Sequence, residues 1–260
     1  MNFSNVTSIV IPEGNVTQIA VGGTVLWKKS APTPVSEPFY LTNEDTQQIT
    51  VSIKKIGTNA TNAPTITLQV SDDGNTWTSL GNSSTTALNI TIPVGGKKYL
   101  RSTSANAWCN NNGNRTQFST STGKFGARGS IMTLLGYNTL KGYDCQYMFQ
   151  GCTGLTVAPE LPATTLAQKC YYYMFYGCTS LIESPELPAT TLVSECYDGM
   201  FRDCTSLNKI TCNARIDSSY YISYWVYNVA ASGTFYKNPL SSWNRGTGGI
   251  PSGWTVADIQ

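Results

Sequence analysis

The sequence predicts a mixed α/β, multi-domain fold: an N-terminal all-β, sandwich-like domain, then a short repeat solenoid closed by an aromatic C-terminal cap. Three observations lead there. Apolar residues alternate with period two from Phe39 to about Ala107, a phrase 26 residues long recurs between Met148 and Met200, and tyrosine and tryptophan crowd the chain after Asn213. With 260 residues there is material for two or three compact units.

Residues 1–29 hold three short strand-like runs, Val6–Ile11, Val16–Val21 and Thr24–Trp27, punctuated by Glu13-Gly14-Asn15 and Gly22-Gly23. So small a piece buries too little apolar surface to stand alone, since below ~40 residues a domain usually needs staples or partners. It reads as an N-terminal β docking segment or as the edge of the next domain. Residues 30–38, SAPTPVSEP, carry three prolines and form a semi-rigid linker. That linker favours docking.

Residues 39–107 form the sandwich-like domain. Ile49, Val51 and Ile53 alternate with polar neighbours, as do Ile66, Leu68 and Val70, and then Leu88, Ile90 and Ile92. Ser71–Trp77, SDDGNTW, is a hairpin turn in which Gly74 and Asn75 tolerate positive φ. Asp72 and Asp73 could ligate a metal, but turn hydrogen bonding accounts for them, and no metal site is assigned. Residues 108–144 are less regular and form an N-terminal cap, with Ile131, Met132, Leu134 and Leu135 as its apolar anchor.

Residues 145–212 are the repeats. Met148, Met174 and Met200 share a column, followed by columns of Phe149, Phe175 and Phe201, and of Cys152, Cys178 and Cys204. Segments 148–173 and 174–199 agree at 16 of 26 positions, which marks duplication rather than shared composition. Leu166, Cys170, Tyr173 and Met174 stand at i, i+4, i+7 and i+8, one face of a helix, and Thr165 with Gln168 resembles a capping box. Gly177 ends that helix, Thr179–Ile182 reads as a short strand, and Pro185 and Pro188 force an extended return. Strands pack ~4.8 Å apart and helices 8–10 Å, so a curved, leucine-rich-repeat-like solenoid follows. Cysteines recurring in columns read as small buried thiols, with disulfides between neighbouring repeats as the alternative; Cys109 and Cys212 fall outside the columns. Roughly two and a half copies are too few to stand alone, so flanking segments must seal them. Residues 213–260, with Tyr220, Tyr221, Tyr224, Trp225, Tyr227, Phe235, Trp243 and Trp254, form the C-terminal cap.

Composition narrows the function. Only 12% of residues are charged and the formal net charge is +2, with no Lys/Arg cluster to follow phosphates, so nucleic acid is not expected as a partner. The chain has no histidine, which removes Ser–His and Cys–His nucleophile systems and the usual imidazole ligand. The start, MNFSNVTSIVIPEGNV, lacks a basic n-region followed by an apolar run, and no stretch approaches the ~20 apolar residues of a span. Neither an export signal of its own nor membrane insertion is expected.

YYYMFYGCTSL, SPELPATTL and GTFYKN…GIPSGWTV resemble the BspA-like leucine-rich repeat proteins of gut bacteria and their phages and prophages, over about residues 130–257. The opening IPEGNVTQIAVGGTVLWKK is similar to short N-terminal segments of phage structural proteins. The resemblance implies adhesion and surface recognition, with no catalytic residues and no cofactor. Bacterial adhesins of the family usually carry an export signal or lipid anchor, and neither is expected here from the residues at the start, MNFSNVTSIVIPEGNV. That favours a virion component, made in a bacterial cytoplasm and released by lysis, over a cell-surface adhesin.

The expected function is therefore non-enzymatic recognition of a bacterial host surface, by a tail or other exposed protein of a phage particle. Its partners would be a host glycan or protein and, through residues 1–29, virion structural proteins; homo-oligomers are left open. The alternatives are a bacterial BspA-like adhesin and, third, a carbohydrate-active enzyme. The last would need two carboxylates; Glu160 and Glu186 share a column, but duplication of PELP explains their pairing. Columns that change between copies mark solvent-facing positions: Gln150/Tyr176/Arg202, Tyr172/Asp198, Lys169/Glu195 and Val157/Glu183/Lys209. Tyr172, Tyr176, Arg202 and Asp198 are the candidate ligand-binding residues, because exposed Tyr and Arg suit recognition.

Overall fold

A computed structural model describes residues 18–21, 24–28, 37–215 and 221–259. The chain divides into two units, residues 1–36 and 37–260. In the first, β1 (Gln18–Val21) pairs antiparallel with β2 (Thr24–Lys28). The expected run Val6–Ile11, most of the docking segment and most of the proline linker lie outside the described residues.

The second unit opens with two sheets facing one core. One comprises β4 (Ile49–Ile56) between β7 (Leu88–Ile92) and β9 (Arg115–Ser121). The other has six strands. Along it lie β11 (Leu155–Val157), β10 (Phe125–Arg128), β3 (Tyr40–Asn43), β8 (Lys97–Ser102), β5 (Thr67–Ser71) and β6 (Thr78–Asn82), in that order. Period-two alternation does what it predicts: Ile49, Val51 and Ile53 are buried, as are Leu68, Ile90 and Ile92. The sheets do not stop at Ala107. β9 pairs antiparallel with β4 and β10 with β3, so segments read as a cap supply sandwich strands. Helix α1 (Ile131–Leu135) is capped by the Ser130 hydroxyl, which accepts from the Met132 amide, and ends at Gly136 with φ 79°.

The mixed α/β expectation is overturned. Strand exceeds helix by 31% to 4%, the strands fall in several sheets, and the helix–strand solenoid does not form. The expected helix is absent, and Gln168–Gly177 is a run of turns. Every fourth residue there stands in the left-handed region: Lys169 at φ 54°, Tyr173 at 52° and Gly177 at 73°. The same spacing recurs at Tyr143, Tyr147 and Gly151, and at Glu195, Gly199 and Asp203. Amides then divide their work. Those of Tyr172, Met174 and Tyr176 close turns onto the carbonyls of Lys169, Tyr171 and Tyr173, three residues back. Those of Tyr171, Tyr173, Phe175 and Gly177 donate to Cys196, Asp198, Met200 and Arg202, one repeat on. An α-helix would spend all of these amides within its own turns. Here half of them bind one repeat to the next, and the strain of left-handed non-glycine residues is held by that pairing.

The expected strand Thr179–Ile182 is also displaced: the strand is β12 (Glu183–Leu187), running through Pro185. Proline fits because β12 is an edge strand, paired on one side only, with a register shift between Glu183 and Glu186. β12, β13 (Lys209–Cys212), β14 (Thr234–Lys237) and β15 (Thr255–Asp258) make a parallel four-stranded sheet.

What seals so few repeats is aromatic stacking. Phe118 of β9 stacks on Phe149 at 4.6 Å, Phe149 on Phe175 at 5.7 Å and Phe175 on Phe201 at 5.7 Å. Trp108 extends the column on the sandwich side (6.1 Å) and Trp225 on the C-terminal side (6.0 Å). β11, from the first repeat, pairs parallel with β10. One apolar core thus runs from Phe39 to Trp254. Of the expected aromatic cap, Trp225, Phe235 and Trp254 are buried, while Tyr220 lies outside the described residues.

All eight cysteines are free and buried. The thiols of Cys152, Cys178 and Cys204 donate to the carbonyls of Phe118, Phe149 and Phe175, one layer back, at 3.4, 3.1 and 3.0 Å. Burial pushes the Cys152 and Cys212 thiols up to about 12. Cys109 is set by the sandwich, its thiol donating to the Asn110 carbonyl at 3.3 Å.

Candidate recognition face

The four-residue turn period decides which side chains point outward. Cys170, Tyr171, Met174 and Phe175 are buried, whereas Tyr172, Tyr173 and Tyr176 are half-buried. Two residues in, two out, is the rhythm of a chain that turns every four residues. A 3.6-residue period carries Tyr173 inward with Met174, so the helical expectation puts Tyr173 on the core face, where the structure does not have it.

The outward side chains of successive repeats meet. Tyr147 sits edge-on to Tyr172 at 5.5 Å and against Tyr173 at 5.8 Å. Tyr172 and Tyr173 lie 4.6 Å apart, and Tyr173 meets Tyr176 at 5.5 Å. Cations interleave with the rings: Arg115 at 4.5 Å over Tyr147, Lys169 at 5.2 Å over Tyr172, and Arg202 within 5.8 Å of Tyr176, 5.8 Å of Tyr224 and 5.2 Å of Tyr227. Tyr173 reaches over the end of the next copy because Gly199 leaves room: a Cβ built at Gly199 would lie 2.4 Å from the Tyr173 ring. The Tyr173 hydroxyl then accepts from Arg202 Nη1 at 3.5 Å.

Carboxylates balance those cations. Glu195 pairs with Lys169 at 3.2 Å, and Asp203 Oδ2 stands 3.7 Å from Arg202 Nε. Asp198 has its carboxyl pushed up to about 6, first by burial and then by the neighbouring Glu195 charge, against the pull of Lys169 and Arg202. Burial likewise raises the Tyr147 and Tyr172 phenols.

The structure therefore gathers Tyr172, Tyr176, Arg202 and Asp198 on one face. Sequence reasoning missed Tyr147, Tyr173, Arg115, Tyr224 and Tyr227 as members, because the four-residue spacing of buried Cys170, Met174 and Cys178 reads equally well as one face of a helix. A cleft of about 280 Å³ is lined by Val226, Asn228, Val229 and Pro251, and Asn228 donates to Asp203 at 2.8 Å.

Other sequence candidates stand elsewhere. Asp73 accepts from the Asn75 and Thr76 amides at 2.8 and 2.7 Å, which is turn chemistry, and Asp72 pairs with Lys98. Glu160 is exposed and bonded through its backbone to Gly129 and Ile131, while Glu186 pairs with Thr211 in β12. Among the described residues no group of three or more Cys, Asp or Glu is placed to hold a metal ion, and no helix is long and apolar enough to cross a membrane. Compared with known protein families, curated proteins and solved structures, the chain matches none.

Proposed function

We propose that the chain is a non-enzymatic surface-recognition protein, a phage or prophage virion component that reads a bacterial host surface. The observation that carries this reading is the outward face on which Tyr147, Tyr172, Tyr173, Tyr176 and Arg202 touch across successive repeats. Tyrosine rings are large, rigid and amphipathic, so they bind sugar rings or peptide at low cost in side-chain entropy. Arginine among them adds hydrogen-bond direction. The resemblance of YYYMFYGCTSL and SPELPATTL to BspA-like proteins supports adhesion as the role. Docking to virion proteins through residues 1–29 belongs to the same proposal and rests on the sequence pattern alone.

Labelled full-length protein, and a version lacking residues 1–29, tested on gut bacterial strains and on mammalian matrix, decide between readings. Strain-restricted binding that survives the deletion and falls at least tenfold in Tyr172→Ala or Tyr176→Ala is the expected result. Binding to matrix but not to bacteria would move the reading to an adhesin. Binding to neither would leave the protein a structural part of a particle.

A further inference from the structure

Two arginines lie on tyrosine rings in this face, and their donors are employed differently. Arg115 is committed: Nε donates to Gln117, Nη1 to the Gly113 carbonyl at 3.1 Å and Nη2 to Gln150 at 2.6 Å. Arg202 is not. The one hydrogen bond of its side chain among the described residues is the 3.5 Å contact from Nη1 to the Tyr173 hydroxyl, and its Nε is buried with no hydrogen-bond partner. Asp203, 3.7 Å away, is beyond hydrogen-bond reach and accepts instead from Asn228 at 2.8 Å. A guanidinium carries five donors in a planar fork that matches a carboxylate. About a third of the Arg202 side chain is open to solvent. Beside it Tyr224 and Tyr227 are 54% and 43% exposed, their rings 6.2 Å apart and inclined at 75°.

We propose that Arg202 is the anion-reading group of this face, and that its ligand is a carboxylate-bearing sugar of a surface polysaccharide, stacked on Tyr224 and Tyr227. The inference rests on the surface-recognition reading and names the ligand class for it. Because Nε is buried, it is the terminal Nη1 and Nη2 that hold the sugar carboxylate in two hydrogen bonds, while one ring offers its face to the sugar and the other closes the side of the site. Asp203 Oδ2 lies 3.7 Å from Nε of the same guanidinium, so a ligand that does not engage the fork in two hydrogen bonds gains little over this resident charge.

The test uses full-length protein and whole cells of strains that bind it. Cells are compared before and after carbodiimide–borohydride reduction, which converts carboxylates to alcohols and leaves phosphates, and after protease or periodate. The expected result is at least tenfold weaker binding to reduced and to periodate-treated cells, with protease without effect. Arg202→Gln reproduces the loss at an unchanged melting temperature, Arg202→Lys recovers little of it because an ammonium has no fork, and Tyr227→Ala weakens binding further. Undiminished binding to reduced cells, or by Arg202→Gln, overturns the carboxylate inference while surface recognition stands. Loss on protease treatment alone makes the ligand a protein and overturns it as well. If no strain binds, the recognition reading falls and takes this inference with it. Should Arg202→Gln not fold, the reduced cells still decide with the native protein.

Discussion

Asp198 shows how a repeat is turned to another use by changing one residue. Its column holds Tyr172 in the preceding copy, and the carboxyl inherits a site shaped for a ring: half-buried and close to Glu195. Its raised pKa has a sign that can be tested. Protonated Asp198 is favoured in the folded state, so its stabilising contribution is full below the ordinary value of 3.8 and is lost as pH rises through about 6. Asp198→Asn should therefore raise the melting temperature at pH 7.5 and have little effect at pH 4, as read by thermal denaturation across that range. A difference that grows toward acid would contradict the assignment. The variable columns were legible from the sequence at this scale, because duplication supplies its own comparison. The charge state of Asp198 was not, since it depends on Glu195, Lys169 and Arg202 meeting in space.

The turn stack sets the rules for elements. Apolar residues at i, i+4 and i+8 serve a helix of 3.6 residues per turn or a chain turning every four, and a short window cannot separate the two. Glycines at Gly151, Gly177 and Gly199 were the informative residues, since they stand at left-handed positions that other copies fill with strained residues, Asp203 in the column of Gly151 and Gly177, and Tyr147 and Tyr173 in the column of Gly199. Gly177 and Gly199 make a matched pair for measurement. A Cβ at Gly177 has its nearest neighbour at 3.8 Å, so Gly177→Ala should cost about 1 kcal/mol, the backbone penalty alone. Gly199→Ala should cost clearly more and displace Tyr173, because the same atom meets that ring at 2.4 Å. Denaturant unfolding of both variants, with tyrosine fluorescence for the second, checks the difference; equal costs would mean that the Tyr173 ring yields freely.

Over the whole of residues 37–260, the aromatic column makes sandwich, repeats and C-terminal segment share one core. Phe175 lies at its middle, fully buried between Phe149 and Phe201. Phe175→Ala should cost about 3–5 kcal/mol and lower a single calorimetric transition without splitting it. Two separated transitions would show that sandwich and repeats fold independently. The sequence by itself determined the alternating strands around Ile49–Ile53, Ile66–Val70 and Leu88–Ile92, the duplication, the inward columns of Met, Phe and Cys, and the columns free to vary. Alternation and recurrence are local in the chain, and burial writes them directly into residue type. Only the tertiary structure decided that the repeats are turns rather than helices and that β9 and β10 belong to the sandwich. It also decided that Arg115, Tyr147, Arg202 and Tyr227 come to one face. Those outcomes depend on which amides bond across repeats and which strands pair at a distance, and backbone hydrogen bonding between remote segments leaves almost no mark on side-chain sequence.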